Sequence, residues 1–231
     1  MGRVKALGVP AVYWTATYLL RGVLWVVGRW TVTGREHIPP EGGLIVVSNH
    51  LSNADPPILG AAVASRRLRF MAKQELFKLP LGIVPRAYGA FPVRRFDADV
   101  GALLNAERIL KRGEVLAMFP EGTRSRTGKI GEPHPGTALI ALRSGALIIC
   151  CSITGTEALH NPLNLLKKPR ITVTMKPLAR FEPVRKPTEQ QVQDAMNIIF
   201  DAILAYLPTE YGGAYTGIEA NDPDGDNPTS N

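Results

Sequence analysis

Short runs of apolar and β-branched residues alternate along this chain with stretches whose apolar residues return at helical spacing, and that alternation limits the folds open to it. The runs fall at 43–48, 89–94, 115–119, 146–153 and 170–176. Interleaved with them, Val100 to Leu110, Thr137 to Leu142 and Val192 to Leu207 repeat at the interval of a helix with one buried face. Strands interleaved with helices predict an α/β fold, a mixed and mostly parallel sheet flanked by helices. With 231 residues and 45% hydrophobic content the chain can bury one core, so a single domain is expected. No internal repeat is visible.

The first run, Gly43 to Val47, follows the turn-forming Pro39-Pro40-Glu41-Gly42 and delivers Asn49 and His50 into a loop. A helix is expected at once: Asp55 is an N-cap type, Pro56 suits the first helical position, and Ile58, Leu59, Ala62 and Val63 keep helical spacing. On one continuous helix a five-residue offset turns two side chains about 140° apart. A His50–Asp55 pair therefore requires the loop to fold back. An N-cap aspartate can accept helix amides with one oxygen and the imidazole N–H with the other, which fixes the tautomer and leaves the second ring nitrogen to take a proton. The alternative is a surface histidine beside an ordinary cap. Two further constellations close strand-like runs: Phe119-Pro120-Glu121-Gly122-Thr123-Arg124-Ser125 and Gly89 to Arg95, which ends in paired arginines. Arginine's planar fork matches a phosphate and keeps its charge. Three such blocks at strand ends, where α/β folds build their sites, favour one shared site.

On these blocks the chain resembles the glycerolipid acyltransferases, the 1-acylglycerol-3-phosphate (lysophosphatidic acid) acyltransferase family, over about residues 30 to 180. The family's N-H-x-x-x-x-D block is present as Asn49, His50 and Asp55, its arginine-ending second block is similar to Gly89–Arg95, and F-P-E-G-T-R-S is complete from Phe119 to Ser125. Two stretches depart from it. Pro133-His134-Pro135-Gly136 stands where a basic stretch is usual, and Ile149-Cys150-Cys151 replaces an apolar block with a proline. The resemblance implies transfer of a fatty acyl group from acyl-CoA or acyl carrier protein to the sn-2 hydroxyl of lysophosphatidic acid, giving phosphatidic acid. It implies His50 as general base, Asp55 orienting it, and Asn49, Arg94, Arg95, Glu121, Gly122, Thr123, Arg124 and Ser125 about the substrates. Of these, the arginines would hold phosphate and the amides near Gly122 and Thr123 would steady an oxyanion. A thiol of pKa ~8.5 leaves far more readily than an alkoxide, so no acyl-enzyme and no cofactor is required. Glycerol 3-phosphate or another lysolipid as acceptor, and a non-catalytic lipid-binding module, are the alternatives.

Charge and the chain ends suggest partners. The net charge is +7, and residues 66–95 carry eight basic side chains (Arg66, Arg67, Arg69, Lys73, Lys78, Arg86, Arg94, Arg95) against one acid, Glu75. Such a patch fits anionic lipid headgroups, a phosphorylated acceptor or an acidic acyl carrier. No nucleic-acid signature accompanies it. From Val9 to Trp30 the chain is apolar and aromatic, long enough to reach about 33 Å as a helix, yet Arg21 lies near its middle. Tyr13, Trp14, Tyr18, Trp25 and Trp30 with Arg3, Lys5 and Arg29 suit an interfacial anchor; a helix packed on the protein's own core and a true span are the other readings. No small-residue cleavage pattern marks a secretory signal. Cys150 and Cys151 are neighbours in an apolar run and read as reduced, buried residues, consistent with a membrane-associated protein facing the cytoplasm. The four histidines are scattered without metal-ligand spacing, so no metal is expected. Gly122 to Ile130 is no phosphate loop, since five residues separate Gly122 from Gly128 and Lys129 precedes Ile130. The expected organisation is a membrane-associating helix at 1–30, a catalytic domain at 31–208 and a disordered acidic tail at 209–231.

Overall fold

The computed structural model describes residues 9–27, 29–78, 82–93, 99–125, 127–178 and 180–214. Within them the chain forms a seven-stranded sheet, β1 (Arg29–Thr33), β2 (Leu44–Ser48), β3 (Leu68–Lys73), β4 (Phe91–Val93), β5 (Val115–Met118), β6 (Leu147–Thr154) and β7 (Arg170–Leu178), in the order β1-β7-β6-β2-β5-β3-β4. β2 to β6 all run the same way, β7 is antiparallel to β6, and β1 lies parallel to β7. The ends of β2 and β5 therefore open on one edge of the sheet, and the beginnings of β1 and β7 come to that same edge.

Alternation along each central strand builds two cores. Leu44 and Val46 of β2, with Val115, Ala117, Ile149, Cys151 and Ile153, face α1 (Val9–Val27) and α2 (Asp55–Val63). Ile45 and Val47, with Leu116, Met118, Ile148 and Cys150, face α4 (Val100–Lys111), α5 (Gly136–Ser144) and α6 (Glu189–Leu204); the short α3 is Ile83–Ala87. All five residues of β2 are buried. That is why the central strands read as unbroken apolar runs.

The expected α/β sheet is present, with two strands that the apolar runs do not show. β1 reads Arg-Trp-Thr-Val-Thr, an edge strand with every other residue exposed. β3 reads Leu-Arg-Phe-Met-Ala-Lys, with Leu68 and Phe70 turned inward and Arg69 and Lys73 outward. Half-covered strands of this kind carry few apolar residues in a row.

Helix α1 buries Tyr13, Thr17 and Leu24 and exposes Val12, Tyr18, Leu19, Val23, Trp25 and Val26. Gly60 makes its seat on α2: a Cβ there would lie 3.1 Å from the Tyr13 hydroxyl, which accepts the Leu68 N–H at 3.1 Å. Among the described residues no helix is long and apolar enough to cross a membrane.

Much of the basic patch expected at 66–95 holds the fold together. Arg66 is buried and donates to the carbonyls of Pro39, Gly42 and Gly113. Arg67 lies over the Tyr13 ring, Arg69 pairs with Glu114 at 2.6 Å, and Arg86 covers Phe77. Four arginines of a patch expected to meet anionic lipid headgroups, a phosphorylated acceptor or an acidic acyl carrier thus also serve the protein's own interior and edges. Arg94 and Arg95 lie outside the described residues. The ordered chain also runs past 208: Thr209–Tyr211 form a 3-10 turn folded back on the domain. Residues 215–231 of the expected tail lie outside the described residues.

Candidate active site

The loop after β2 folds back as the His50–Asp55 pairing requires, by a different cap geometry from the one expected. Asp55 is the first residue of α2 and Ala54 its N-cap, so the carboxylate turns toward the preceding loop and not down the helix. One oxygen, Oδ2, accepts all three donors: His50 Nδ1–H at 2.8 Å, the Leu51 N–H at 2.6 Å and the Ser52 N–H at 2.7 Å. Donation from Nδ1 leaves the lone pair on Nε2. The Asp55 side chain is 0% exposed and that of His50 12%, so of the pair only the imidazole reaches toward solvent.

Three other contacts fix the histidine. Its ring stacks on Phe119 with centroids 4.2 Å apart. Its backbone N–H donates to Glu121 Oε1 at 2.7 Å, and its carbonyl accepts the Ser125 N–H at 2.8 Å. The loop after β5 therefore holds the loop after β2 on both sides of the residue. Since β2 and β5 are adjacent and parallel, their loops leave the sheet side by side.

Glu121 is buried and braces two segments, accepting the His50 N–H through one oxygen and the Gly131 N–H through the other at 2.8 Å. Burial pushes its carboxyl up to about 7; the two amide hydrogen bonds pull the other way and the charge of Asp55 adds to the rise. Gly122 takes φ +63°, and a Cβ there would fall 2.8 Å from His134 Cδ2, so the turn needs glycine. Its N–H donates to the Phe119 carbonyl at 3.0 Å, which engages the amide that was expected to serve an oxyanion.

A cavity of about 440 Å³ opens beside this brace, lined by Glu121, Thr123, Arg124, Ser125, Lys129 and His134 among others. Arg124 and Lys129 bring two cations to it; Glu132 is also in its wall. Of the residues expected at the site, Glu121, Thr123, Arg124 and Ser125 line this cavity, while His50, paired with Asp55, is joined to it through the hydrogen bonds of its backbone to Glu121 and Ser125. Asn49 does not face it. Asn49 is fully buried, with its amide NH2 donating to the Ile153 carbonyl at 2.8 Å and its oxygen accepting the Ile153 N–H at 2.7 Å, so it fastens the end of β2 to β6 and offers nothing to a substrate.

Lys129, Gly131, His134 and Tyr211 complete the site without having been singled out for it. Tyr211, in the C-terminal 3-10 turn, accepts the Ile130 N–H on its carbonyl at 2.9 Å. Its hydroxyl donates to Glu157 at 2.8 Å and accepts the Gly155 N–H at 3.3 Å. The only signal in the sequence was His134, in the stretch that departs from the family pattern.

Cys150 and Cys151 are both buried thiols, Cys150 pushed up to about 12 by desolvation and Cys151 raised as well. They point into opposite cores of the sheet and cannot act as nucleophiles. Among the described residues no cluster of three or more His, Cys, Asp or Glu is arranged to hold a metal.

Comparison with known proteins agrees with this geometry. Residues 29–154, more than half of the chain, match the Acyltransferase family. The 1-acyl-sn-glycerol-3-phosphate acyltransferase of Borreliella burgdorferi is 28% identical over 190 residues, covering 80% of this chain and 75% of that protein. The Bacillus subtilis protein of the same name is 30% identical over 107 residues, covering 46% of this chain and 54% of that one, so the match spans about half its length. The crystal structure of the lysophosphatidic acid acyltransferase PlsC from Thermotoga maritima superposes with a TM-score of 0.60 at 26% identity, over 89% of this chain and 84% of that chain. The His50–Asp55 pair and the Phe119–Ser125 loop that clasps it both fall inside the matched segment, and the chain accordingly belongs to the acyltransferase family and is an enzyme of that class.

Proposed function

We propose that the protein transfers a fatty acyl group from an acyl thioester, carried by coenzyme A or acyl carrier protein, to the sn-2 hydroxyl of lysophosphatidic acid, giving phosphatidic acid. The observation that carries this reading is the 2.8 Å bond from His50 Nδ1 to a fully buried Asp55, which leaves Nε2 as the basic nitrogen, on a residue whose backbone is held by Glu121 and Ser125 of the cavity wall that also bears Arg124 and Lys129. Nε2 takes the proton of the acceptor hydroxyl as its oxygen forms a bond to the thioester carbon. The tetrahedral intermediate then collapses, the carbon–sulfur bond breaks, and the thiolate leaves with the proton that the imidazolium returns. Asp55 holds the ring in place and balances the charge that it gains midway. The leaving group supplies what a cofactor would otherwise have to, and none is needed.

Arg124 and Lys129 fit a phosphate on the acceptor or donor. The acceptor is a lipid, and we place the enzyme on the cytoplasmic face of a membrane. The exposed Trp25, Val26 and Leu19 on α1 support an interfacial anchor, and two buried free thiols fit a reducing compartment.

The test is thiol release from acyl-CoA and from acyl carrier protein, with lysophosphatidic acid in mixed micelles, in wild type and His50→Ala. Acceptor-dependent release should fall by roughly 10²–10⁴-fold in the variant. Absence of release from wild type with both donors, despite binding of the lipid, would sink the proposal.

A further inference from the structure

Two stretches far apart in sequence carry some of the most exposed large apolar side chains among the described residues. Trp25, near the end of α1, is 81% exposed; Leu163 and Leu166, in the 3-10 segment Pro162–Lys167, are 70% and 75% exposed. A 3-10 helix has three residues per turn, so side chains at i and i+3 project on one side. The fold brings the ends of the two stretches to neighbouring strand starts. α1 leads into β1 and the 162–167 segment leads into β7; these strands are paired in parallel with Arg29 opposite Arg170, and the Arg29 N–H donates to the Pro169 carbonyl at 3.3 Å.

The edge where they meet is the edge that carries His50. β7 is antiparallel to β6, with Thr172 opposite Thr154, so β7 begins where β6 ends. β6 is parallel to β2, whose last residue, Ser48, lies opposite Cys151. The exposed cations Arg29, Lys167, Lys168 and Arg170 flank the apolar side chains, and residues 158–170 contain no acid.

From this placement, and resting on the membrane-bound acyltransferase reading above, we propose that Pro162–Lys167 is a second lipid-contacting element beside α1. Leu163 and Leu166 enter the interface, while Lys167, Lys168, Arg170 and Arg29 meet anionic headgroups. An apolar pair followed by a cluster of cations suits an anionic bilayer surface better than a neutral one. With both elements docked, the active-site edge of the sheet faces the bilayer, and the acceptor reaches His50 from within the leaflet.

The experiment is sedimentation of the full chain with vesicles of phosphatidylcholine containing phosphatidylglycerol, and with vesicles of phosphatidylcholine alone. Leu163→Glu/Leu166→Glu should weaken binding at least tenfold, while turnover of a dispersed short-chain thioester and a short-chain acceptor stays at the wild-type rate. Lys167→Glu/Lys168→Glu should weaken binding to the anionic vesicles and leave binding to the neutral ones unchanged. A polarity-sensitive fluorophore on Leu166→Cys gives a readout that does not depend on the charged variants: its emission should shift to the blue on adding anionic vesicles. If these variants bind as wild type and the fluorophore does not respond, while Trp25→Glu/Val26→Glu abolishes binding, α1 is the sole anchor and the proposal is overturned. If wild type binds neither vesicle, the membrane placement falls with it. Turnover of the dispersed substrates, which fails only if the acyltransferase reading fails, separates the two.

Discussion

Three donors converge on a single carboxylate oxygen at Asp55, and that arrangement sets the tautomer of His50. An amide in its place turns one face of the site from acceptor to donor. In Asp55→Asn the amide oxygen can take the place of Oδ2 and accept the same three donors, but its NH2 is then buried where Oδ1 now finds no partner, and the negative charge that balances the imidazolium is gone. The expected result is a fall in kcat of about 10⁴-fold with little change in KM, measured by steady-state thiol release. At Glu121 the prediction concerns stability. Its carboxyl is raised to about 7 in the folded protein, so the folded state favours the protonated form. The contribution is fully present below the ordinary glutamate range and is lost as pH rises through about 7. Glu121→Gln, which does not ionise, should flatten this slope. Wild type should lose up to about 3 kcal/mol relative to the variant between pH 4.5 and pH 7.5, read from urea unfolding across the range. At this scale the sequence was most informative about chemistry and least about orientation. The spacing of His50 and Asp55 announced a pair, but which oxygen takes which donor depends on backbone angles that no residue pattern encodes. Asn49 looks like a site residue by its neighbours and is a fastener because β6 happens to lie beside β2.

At the scale of elements, the site is an assembly of loops that brace one another. The C-terminal 3-10 turn holds Ile130 through the Tyr211 carbonyl, the neighbouring Gly131 holds Glu121, and Glu121 holds the backbone of His50. Tyr211→Phe removes the hydroxyl from Glu157, whose other oxygen is buried without a hydrogen-bond partner. The variant should be about 1–3 kcal/mol less stable to urea, and kcat should drop more than KM rises as the turn loosens its hold on the 130–131 loop. Helices α4, α5 and α6 were legible within a few residues because one face of each is apolar. β1 and β3 were not, since an edge strand and a strand bearing outward cations lack the continuous apolar run that marks a doubly covered one. The role of Thr209–Tyr211 was hidden for another reason: short turns far from the motif blocks show their function only through the segment against which they fold.

For the molecule as a whole, alternation of strands and helices was enough to give the class of fold, but strand order and the reversal of β7 are facts about pairing, and pairing leaves no periodic trace in a single sequence. The reversal has a further consequence, in time. On the ribosome α1 can settle against α2 as soon as both have emerged, because their contacts are close in sequence. β1 has no such early partner. It pairs with β7 alone, whose first residue is made roughly 140 residues later, and at roughly 5–20 residues per second the delay is on the order of ten seconds. For that interval the first strand of the protein has an open edge, and the sheet is completed only when nearly the last of its ordered elements returns to meet the first.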